Sequence, residues 1–396
     1  MTNLIRIAGR NLFRYKRRTL LTLSLIVIGV LFVTGFVAIT GSFKGMMIGQ
    51  ITDSFVGHLQ IHRKGYLAAI DSLPLTMNLK PGAVRKAEAA LKAMPEVEAY
   101  SKRIKFGGMF SNFTETANIR LNGVDPEMEA RTVPLLLSRV LEGNGMKVKV
   151  GDVVVVIATN RDGSVNGKQL RVGAILESAT GPGGRDGYVH IDDAMEILRM
   201  EQPEISEIAV RIRDFGELPG VFGTLKGNLA GELNPQGKPI FDVHTWEKIS
   251  PFSNIARMID LMTLFVQIML VAIVLISIMN VMIMAVYERV REIGTIAAIG
   301  TLPGKILSMF LFEGLFMGAI GAVIGSLLSV AAITGLNAAQ ITFDFGRQTG
   351  LILAPTIDPA SLLTISGIVI GVSIVASLQP ALKAAQMDPI EALGHV

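Results

Sequence analysis

Four stretches of the chain, Thr19–Phe43, Leu261–Tyr287, Gly314–Phe343 and Pro359–Leu382, carry no charged residue and are mostly aliphatic. A bilayer core needs about 20 consecutive apolar residues per helix, so each stretch is long enough to cross. In lipid the backbone polar groups must be satisfied within the segment, and a helix does that. Composition agrees with this reading. Half of the 396 residues are apolar and 18% are charged, with a mean hydropathy of +0.49, where a soluble domain is about a quarter charged. The expected class is a membrane protein: four transmembrane α-helices plus a large mixed α/β extracytoplasmic domain inserted between helices 1 and 2.

The expected layout follows the charges. Residues 1–18 form a basic, amphipathic N-terminus, 19–43 the first span running on into a stalk, and 44–260 the inserted domain. Residues 261–287 are the second span, 288–305 a short charged helix, and 306–338 the third span. A short external loop (339–358), the fourth span (359–382) and a tail (383–396) complete the chain. The first apolar stretch follows a basic front but is far longer than the about 7–15 residues of a signal-peptide core, so it reads as an anchor.

Lys and Arg gather on the cytoplasmic side of membrane helices. Arg6, Arg10, Arg14, Lys16, Arg17 and Arg18 precede the first span with no acidic residue among them. Arg289, Arg291 and Lys305 lie between the second and third spans, and Lys383 follows the fourth. This predicts a multi-pass protein of the bacterial cytoplasmic (inner) membrane with both termini and the 288–305 segment inside and the large domain outside. The basic excess is then topological, and the sequence pI of about 9.2 requires no nucleic-acid partner. There is no cysteine, so the domain is not disulfide-stapled and must rely on its own core.

Within the inserted region, "HLQIHR" (58–63) alternates as a strand does, and "PGAVRKAEAALKAMPEV" (81–97) reads as a surface helix between prolines. "TANIRLNGVD" (116–125) reads as a strand entering a turn. Residues 151–177 read as a hairpin turning at Asp162-Gly163. "ISEIAVRIRD" (205–214) alternates again, and the glycine-rich 180–187 stretch reads as a loop.

Motifs that carry chemistry are missing from these residues. The Gly-Lys pairs at 167, 237 and 304 lack the P-loop frame, and neither H-E-x-x-H nor G-x-S-x-G occurs. His58 and His62 would share one strand face with Gln60 between them, as a metal site or as solvated strand residues. No catalytic residue, no metal and no cofactor bound by this chain is expected.

The most informative stretch is "AVYERVREIGTIAAIG" (285–300), wedged between two spans. Val286, Val290, Ile293, Ile296 and Ala297 follow helical spacing. Glu288 with Arg291, and Arg289 with Glu292, are i,i+3 pairs on the other face. Gly300 and Pro303 stop the helix. Two readings are open: an interfacial connector, or a helix that continues the second span and receives force from a soluble motor.

The block "NVMIMAVYERVREIGTIAAIG" (280–300), with Asn280 inside the span and an E-R-x-R-E-I-G core, resembles the signature of FtsX-like, MacB-like (type VII) ABC transporter permeases. "MDPIEAL" (387–393) resembles that family's ending, and "LNGVDPEME" (121–129) resembles a turn of its extracytoplasmic domain. The four-helix layout, with one large domain after the first span, is similar to lipoprotein-releasing permeases and to the macrolide-exporter type, which carries a fused ATPase in the same chain.

The resemblance implies a non-catalytic membrane subunit working with two cytoplasmic ABC ATPase subunits, which hold the ATP and Mg. It also implies a second permease copy or a homologous permease, contact with membrane lipids, and a periplasmic acceptor or adaptor protein. The motion of the ATPases would reach the outer domain and extract or export lipidated or amphiphilic cargo such as lipoproteins. The competing readings are a mechanotransmitter that drives a periplasmic efflux partner or cell-wall hydrolase, and a membrane sensor without a motor.

Candidate site residues follow. Glu288, Arg289, Arg291, Glu292, Ile293, Gly294, Ile296 and Ala297 would couple to the ATPase. Arg291 and Glu292 would make polar contacts, Ile293, Ile296 and Ala297 would seat the helix, and Gly294 would allow close approach. Phe43, Met47, Ile51 and Phe55 on one stalk, and Ile255, Met258, Ile259 and Met262 on the other, either pack on each other or also line an apolar cargo cleft. Asn280, Gly314, Gly318, Gly321 and Gly325 would serve packing between spans. Glu313, costly to bury in a membrane, would pair with Arg289 or Arg291 or reach the interface.

Overall fold

The computed structural model describes residues 10, 14, 16–140, 148–176, 185–345, 348–352 and 354–394. Most of the expected basic N-terminus and residues 180–184 of the glycine-rich loop lie outside the described residues. The chain divides into two compact units: Met46–Ala256, and Met1–Gly45 with Arg257–Val396.

In chain order the first helix is α1 (Lys16–Ile51), which ends in a π-helical turn, Thr52–Val56. The α/β unit then contributes β1 (Leu59–Arg63), α2 (Pro81–Lys92), β2 (Val97–Ser111), β3 (Thr116–Val124) and α3 (Pro126–Thr132). β4 (Val153–Thr159), β5 (Val165–Arg171), β6 (Asp186–His190), α4 (Ile191–Leu198), β7 (Glu207–Ile212), α5 (Leu218–Ala230), β8 (Phe241–Thr245) and α6 (Trp246–Ile249) follow. The eight strands form one sheet, with the path β5-β4-β2-β7-β1-β8 and with β3 bridging β2 and β6.

β2 organises this sheet. Its first half, Val97 to Arg103, runs antiparallel to β7. Its second half, Ile104 to Ser111, runs antiparallel to β3, and Gly108 to Ser111 also pair with β4. The strand changes neighbours at Arg103–Ile104. A core of Leu59, Ile61, Ile104, Phe106, Leu121, Ile208, Val210 and Leu225, among others, covers the sheet. Local chemistry sets the ends: Asp125 caps α3 by accepting the Glu127 and Met128 amides at 3.0 and 3.2 Å, with Pro126 in the first turn. The β4–β5 hairpin turns through Asn160, whose Oδ1 accepts from Asp162 and Ser164 at 3.0 and 2.9 Å. Gly163 there has φ +84°, a conformation that favours glycine.

The helical unit holds α1 up to Gly45 and, from Arg257 on, α7 (Ser253–Glu288), α8 (Val290–Ala298), α9 (Pro303–Ala338), α10 (Pro359–Ala385) and α11 (Pro389–Gly394). All four long helices are long and apolar enough to span a membrane. Ile26, Val30, Leu270, Val274, Ile278, Met282, Phe310, Met317, Ile365, Val369 and Ala376 make its core. The expected glycine stripe of the third span lies in this packing. A Cβ at Gly314 would sit 1.8 Å from Ser377 Oγ and one at Gly318 would sit 2.3 Å from Ser373 Oγ, both on α10. Cβ atoms at Gly321 and Gly325 would meet Ile26 and Val30 of α1 at 2.6 and 2.7 Å. Bare backbone is what lets α9 approach both neighbours.

The first and second spans run on as stalks, as expected, α1 to Ile51 and α7 from Ser253. Several other expectations need correction. The 339–358 loop contains an unforeseen hairpin, β9 (Thr342–Phe345) with β10 (Gln348–Ile352). The 180–187 loop stops earlier than expected, since Asp186 and Gly187 already belong to β6, paired in parallel with Arg120 and Leu121. Asn280 faces out of the bundle rather than into it.

Candidate functional site

Between α7 and α9 the chain makes a break, a nine-residue helix and a tight return. The break is Arg289, with φ −116° and ψ 15°, so the short helix α8 is not a rigid continuation of α7. The return follows from glycine. Gly300 has φ +92°; its N–H reaches Ala297 O at 2.9 Å, and Thr301 N–H reaches Ile296 O at 3.3 Å. That pair of bonds satisfies carbonyls at the helix end, and Pro303 starts α9 in its first turn, where no amide donor is needed.

What fixes α8 is a buried ion pair. Arg289 Nη1 donates to Glu313 Oε1 of α9 at 2.9 Å, and the two residues are 5% and 4% exposed. Arg289 Nε also donates to Glu292 Oε2 at 3.2 Å, and its guanidinium lies over the Phe310 ring, 5.6 Å from the centroid. Arg14 Nη1 reaches Glu292 Oε1 at 2.8 Å. The helix is thus tied to α9 and to the residue before the first span. A buried charge needs such a partner, and breaking a pair costs more than the pair itself contributes. Glu313 therefore pairs with Arg289, one of the alternatives open in the sequence, and is not left to reach the interface.

The site residues divide. Arg289 lies inward, not on a solvated face. Ile293 and Gly294 are buried in the same unit, and Ala297 packs against its core. These four therefore position the helix and are covered by their own chain, against the expectation that Ile293 and Gly294 would meet a partner. Glu292 is half-buried and engaged with Arg14 and Arg289. The outward face carries Glu288, Arg291, Thr295, Ile296 and Ile299, the last 81% exposed. Thr295 and Ile299 stand on this face although neither belongs to the apolar stripe that the sequence marks as partner-facing. Their spacing of four and eight residues from Arg291, about one and two turns, is the signal in the sequence. The tail helix α11 packs against α8 and buries Ala392.

The two stalk stripes have different fates. Met47 is buried in the core of the α/β unit, and Ile51 and Phe55 pack against that core. Met47 is thus structural and does not line a cleft. By contrast Ile255, Met258 and Met262 are exposed, Met258 at 54%; Ile259 is half-buried, as is Phe43.

His58 and His62 are both buried, which corrects the solvated alternative. His58 Nδ1 accepts the Ile212 amide at 3.1 Å, and its Nε2 lies 3.4 Å from Asp53. His62 faces Glu207 at 3.6 Å, and Glu207 meets Arg103 Nη1 and Lys105 Nζ at 2.9 Å each. Arg103 also holds Glu129 at 2.7 Å. Burial alone would raise the Glu207 carboxyl, yet Lys105, His62 and Arg103 hold it well below the usual carboxylate range. This charge ladder crosses β1, β7 and β2 at the point where β2 changes neighbours. Among the described residues no group of three or more His, Asp or Glu side chains is arranged to hold a metal ion.

Two family models match the sequence: the MacB-like periplasmic core domain over residues 19–219, and the FtsX-like permease C-terminal region over residues 264–389. A "macrolide export ATP-binding/permease protein MacB 2" of Aeromonas hydrophila is 24% identical over 98% of this chain and 60% of its own length. The Acinetobacter baylyi MacB protein is 26% identical over 96% of this chain and 58% of its own. "ABC transporter permease YtrF" of Bacillus subtilis is 34% identical over 33% of this chain and 31% of its own. The chain therefore spans about six tenths of the length of the MacB relatives it matches.

Proposed function

Because the chain belongs to the family of FtsX-like, MacB-like ABC transporter permeases, we propose that it is the force-transmitting membrane subunit of such a transporter. In this reading α8 sits in a groove of a cytoplasmic ABC ATPase, which binds ATP and Mg on a separate polypeptide, two ATPases serving two permeases. The membrane is the bacterial inner membrane, with both termini and α8 in the cytoplasm and the α/β domain outside, as the basic bias supports. The observation that carries this reading is the contrast within α8. One side is locked to α9 through Arg289 and Glu313, while Arg291, Thr295 and Ile299 stand outward. A connector needs no such lock, whereas a helix that must pass a push into the bundle does.

The cargo we propose is amphiphilic, a lipidated polypeptide or an apolar drug-like molecule, taken from the outer leaflet. Exposed Met258 and Met262 at the end of α7 remote from α8 support this, since methionine suits varied apolar ligands. The relatives' names speak of macrolide export, and macrolides share that amphiphilic character.

The test is the double variant Arg291→Glu with Ile299→Asp. Both side chains point out of the bundle, so insertion and thermal stability should match the parent. Co-purification of an ABC ATPase from native membranes should fall at least tenfold, because like charges and a desolvated carboxylate cost several kcal/mol at an interface. Unchanged ATPase recovery would reduce α8 to a connector.

A further inference from the structure

The inner face of strands β2 to β5 carries a helix over one part and a cavity over another. Helix α4 packs on it at Gly123, where an added Cβ would stand 2.4 Å from Ala194 Cβ. Further along the same strands Phe110, Ile119, Leu121, Val154, Val156 and Leu170 line a cavity of about 490 Å³. Phe55, from the π-helical turn that ends α1, lines it as well, and so does Leu176, which bridges to Val140. Protein interiors rarely leave voids larger than a water molecule, and cavities that hold small molecules run from about 300 to 1,000 Å³. Apolar walls give water few partners. Walls and volume therefore suit an apolar chain.

The charged groups of the lining specify the other end of the ligand. Arg139, 7% exposed, is set in the wall, and Arg171 and Arg185 are exposed at the edge. Neither Arg171 nor Arg185 makes an ion pair with a described residue. The two carboxylates of the lining are matched by cations outside it: Asp186 lies 3.2 Å from Arg120 Nε, and Asp193 lies 2.7 Å from Lys168 Nζ. The arginines thus give the cavity a positive rim, and a guanidinium fits carboxylate or phosphate oxygens. We propose that this cavity binds an anionic single-chain amphiphile, its acyl chain against β2 to β5 and its carboxylate or phosphate held by Arg171 and Arg185. The site lies wholly within the Met46–Ala256 unit, so it does not depend on the coupling proposed for α8. Because Phe55 belongs to the turn that ends α1, an occupant touches the foot of the first stalk.

Full-length protein in lipid nanodiscs, irradiated with palmitate that bears a diazirine on its chain, should give adducts within 110–121, 148–176 or 185–193 by mass spectrometry, beside background labelling of the spans. Unlabelled palmitate and a lysophosphatidate of the same chain length are the two competing arms. At least one should remove the domain adducts, and the stronger names the head group. Hexadecanol, the same chain without a charge, should compete at least about tenfold more weakly. Arg171→Glu with Arg185→Glu should lower domain labelling at least about fivefold at an unchanged melting temperature, since like charge then faces the head. Arg171→Lys with Arg185→Lys should restore most of it. Leu170→Trp, which adds bulk to a half-buried wall, should block labelling with the arginines intact. Adducts confined to the spans, hexadecanol competing as well as the anions, or full labelling of the charge-reversed variant would each overturn the site.

Discussion

Each unit of this protein buries an arginine against carboxylates, and the two burials do different work. In the α/β domain Arg103 joins Glu129 of α3 and Glu207 of β7, and Glu207 in turn meets Lys105 and His62. Five charged or titratable groups from four elements close on one another where β2 passes from one set of strands to the other. In the helical unit Arg289 meets Glu313 and Glu292 beside a break in the chain. The first network holds a sheet together. The second holds one short helix at a chosen angle on a bundle whose stability comes from close backbone packing. The lesson is that a buried ion pair is structural where many elements depend on it and positional where one does.

The largest effect should come from breaking the first network. Arg103→Leu strands Glu129 and Glu207 in the core, and removal of one partner of a buried pair costs about 3–5 kcal/mol. Full-length protein should show rapid hydrogen exchange over 97–111 and early protease cleavage of the α/β domain. The same network sets an acid limit. Because the Glu207 carboxyl is held low in the fold, it adds stability above its ordinary value near 4.5, and that stability is lost as pH falls below it toward the depressed folded value. Glu207→Gln should flatten this acid slope in melting curves taken between pH 5 and pH 3, while lowering stability at neutral pH. A slope unchanged by the substitution would show that Glu207 is not the group responsible.

A smaller loss is expected from spoiling the helix packing. Gly318→Val would drive methyl groups into Ser373 of α10, and overpacking of this kind costs about 1–3 kcal/mol. Gly335→Ala, with nothing within 4 Å of the added atom, is the matched control and should leave the detergent melting temperature unchanged or slightly raised. If both variants behave alike, close approach at the glycines is not what holds the bundle.

Smaller still in stability, and larger in function, is Glu313→Gln. The amide can still accept a hydrogen bond from Arg289, and Glu292 still gives the buried guanidinium a carboxylate partner, so folding should change by about 1 kcal/mol, yet α8 loses the charge that ties it to α9. ATPase activity coupled to cargo should fall several-fold with the melting temperature almost unmoved. A drop in stability as large as that of Arg103→Leu would erase the contrast between the two networks. Last, Met258→Asp lies on an exposed face and should shift stability by no more than about 0.5 kcal/mol, while lowering transport of amphiphilic cargo. Normal transport would remove Met258 from any cargo path.

The sequence made the spans plain because uncharged apolar runs of that length have few other fates, and charge bias suggested their direction. Strands β1, β3 and β7 and the Asp162-Gly163 turn were legible from alternation and turn chemistry. The charge ladder was not. Arg103, Glu129 and Glu207 are far apart in the chain and only sheet register brings them together, as when His62 and Glu207 fall opposite each other. The orientation of α8 is not legible in the sequence for a related reason. Periodicity marks an apolar stripe but cannot say whether its own chain or a partner covers it, and here Ile293 is covered from within. Asn280 shows the reverse case, an apparent packing residue that its own chain leaves bare.

If the outward face of α8 meets an ABC ATPase while its inward face belongs to the bundle, the two faces should crosslink to different partners. A photo-crosslinking amino acid placed at Ile299, and separately at Ile293, in cells producing the full chain puts the two faces side by side. An adduct with an ABC ATPase is expected from position 299, identified by mass spectrometry, and only intramolecular products from position 293. An adduct from 299 with lipid alone, or an ATPase adduct equally strong from 293, would contradict it.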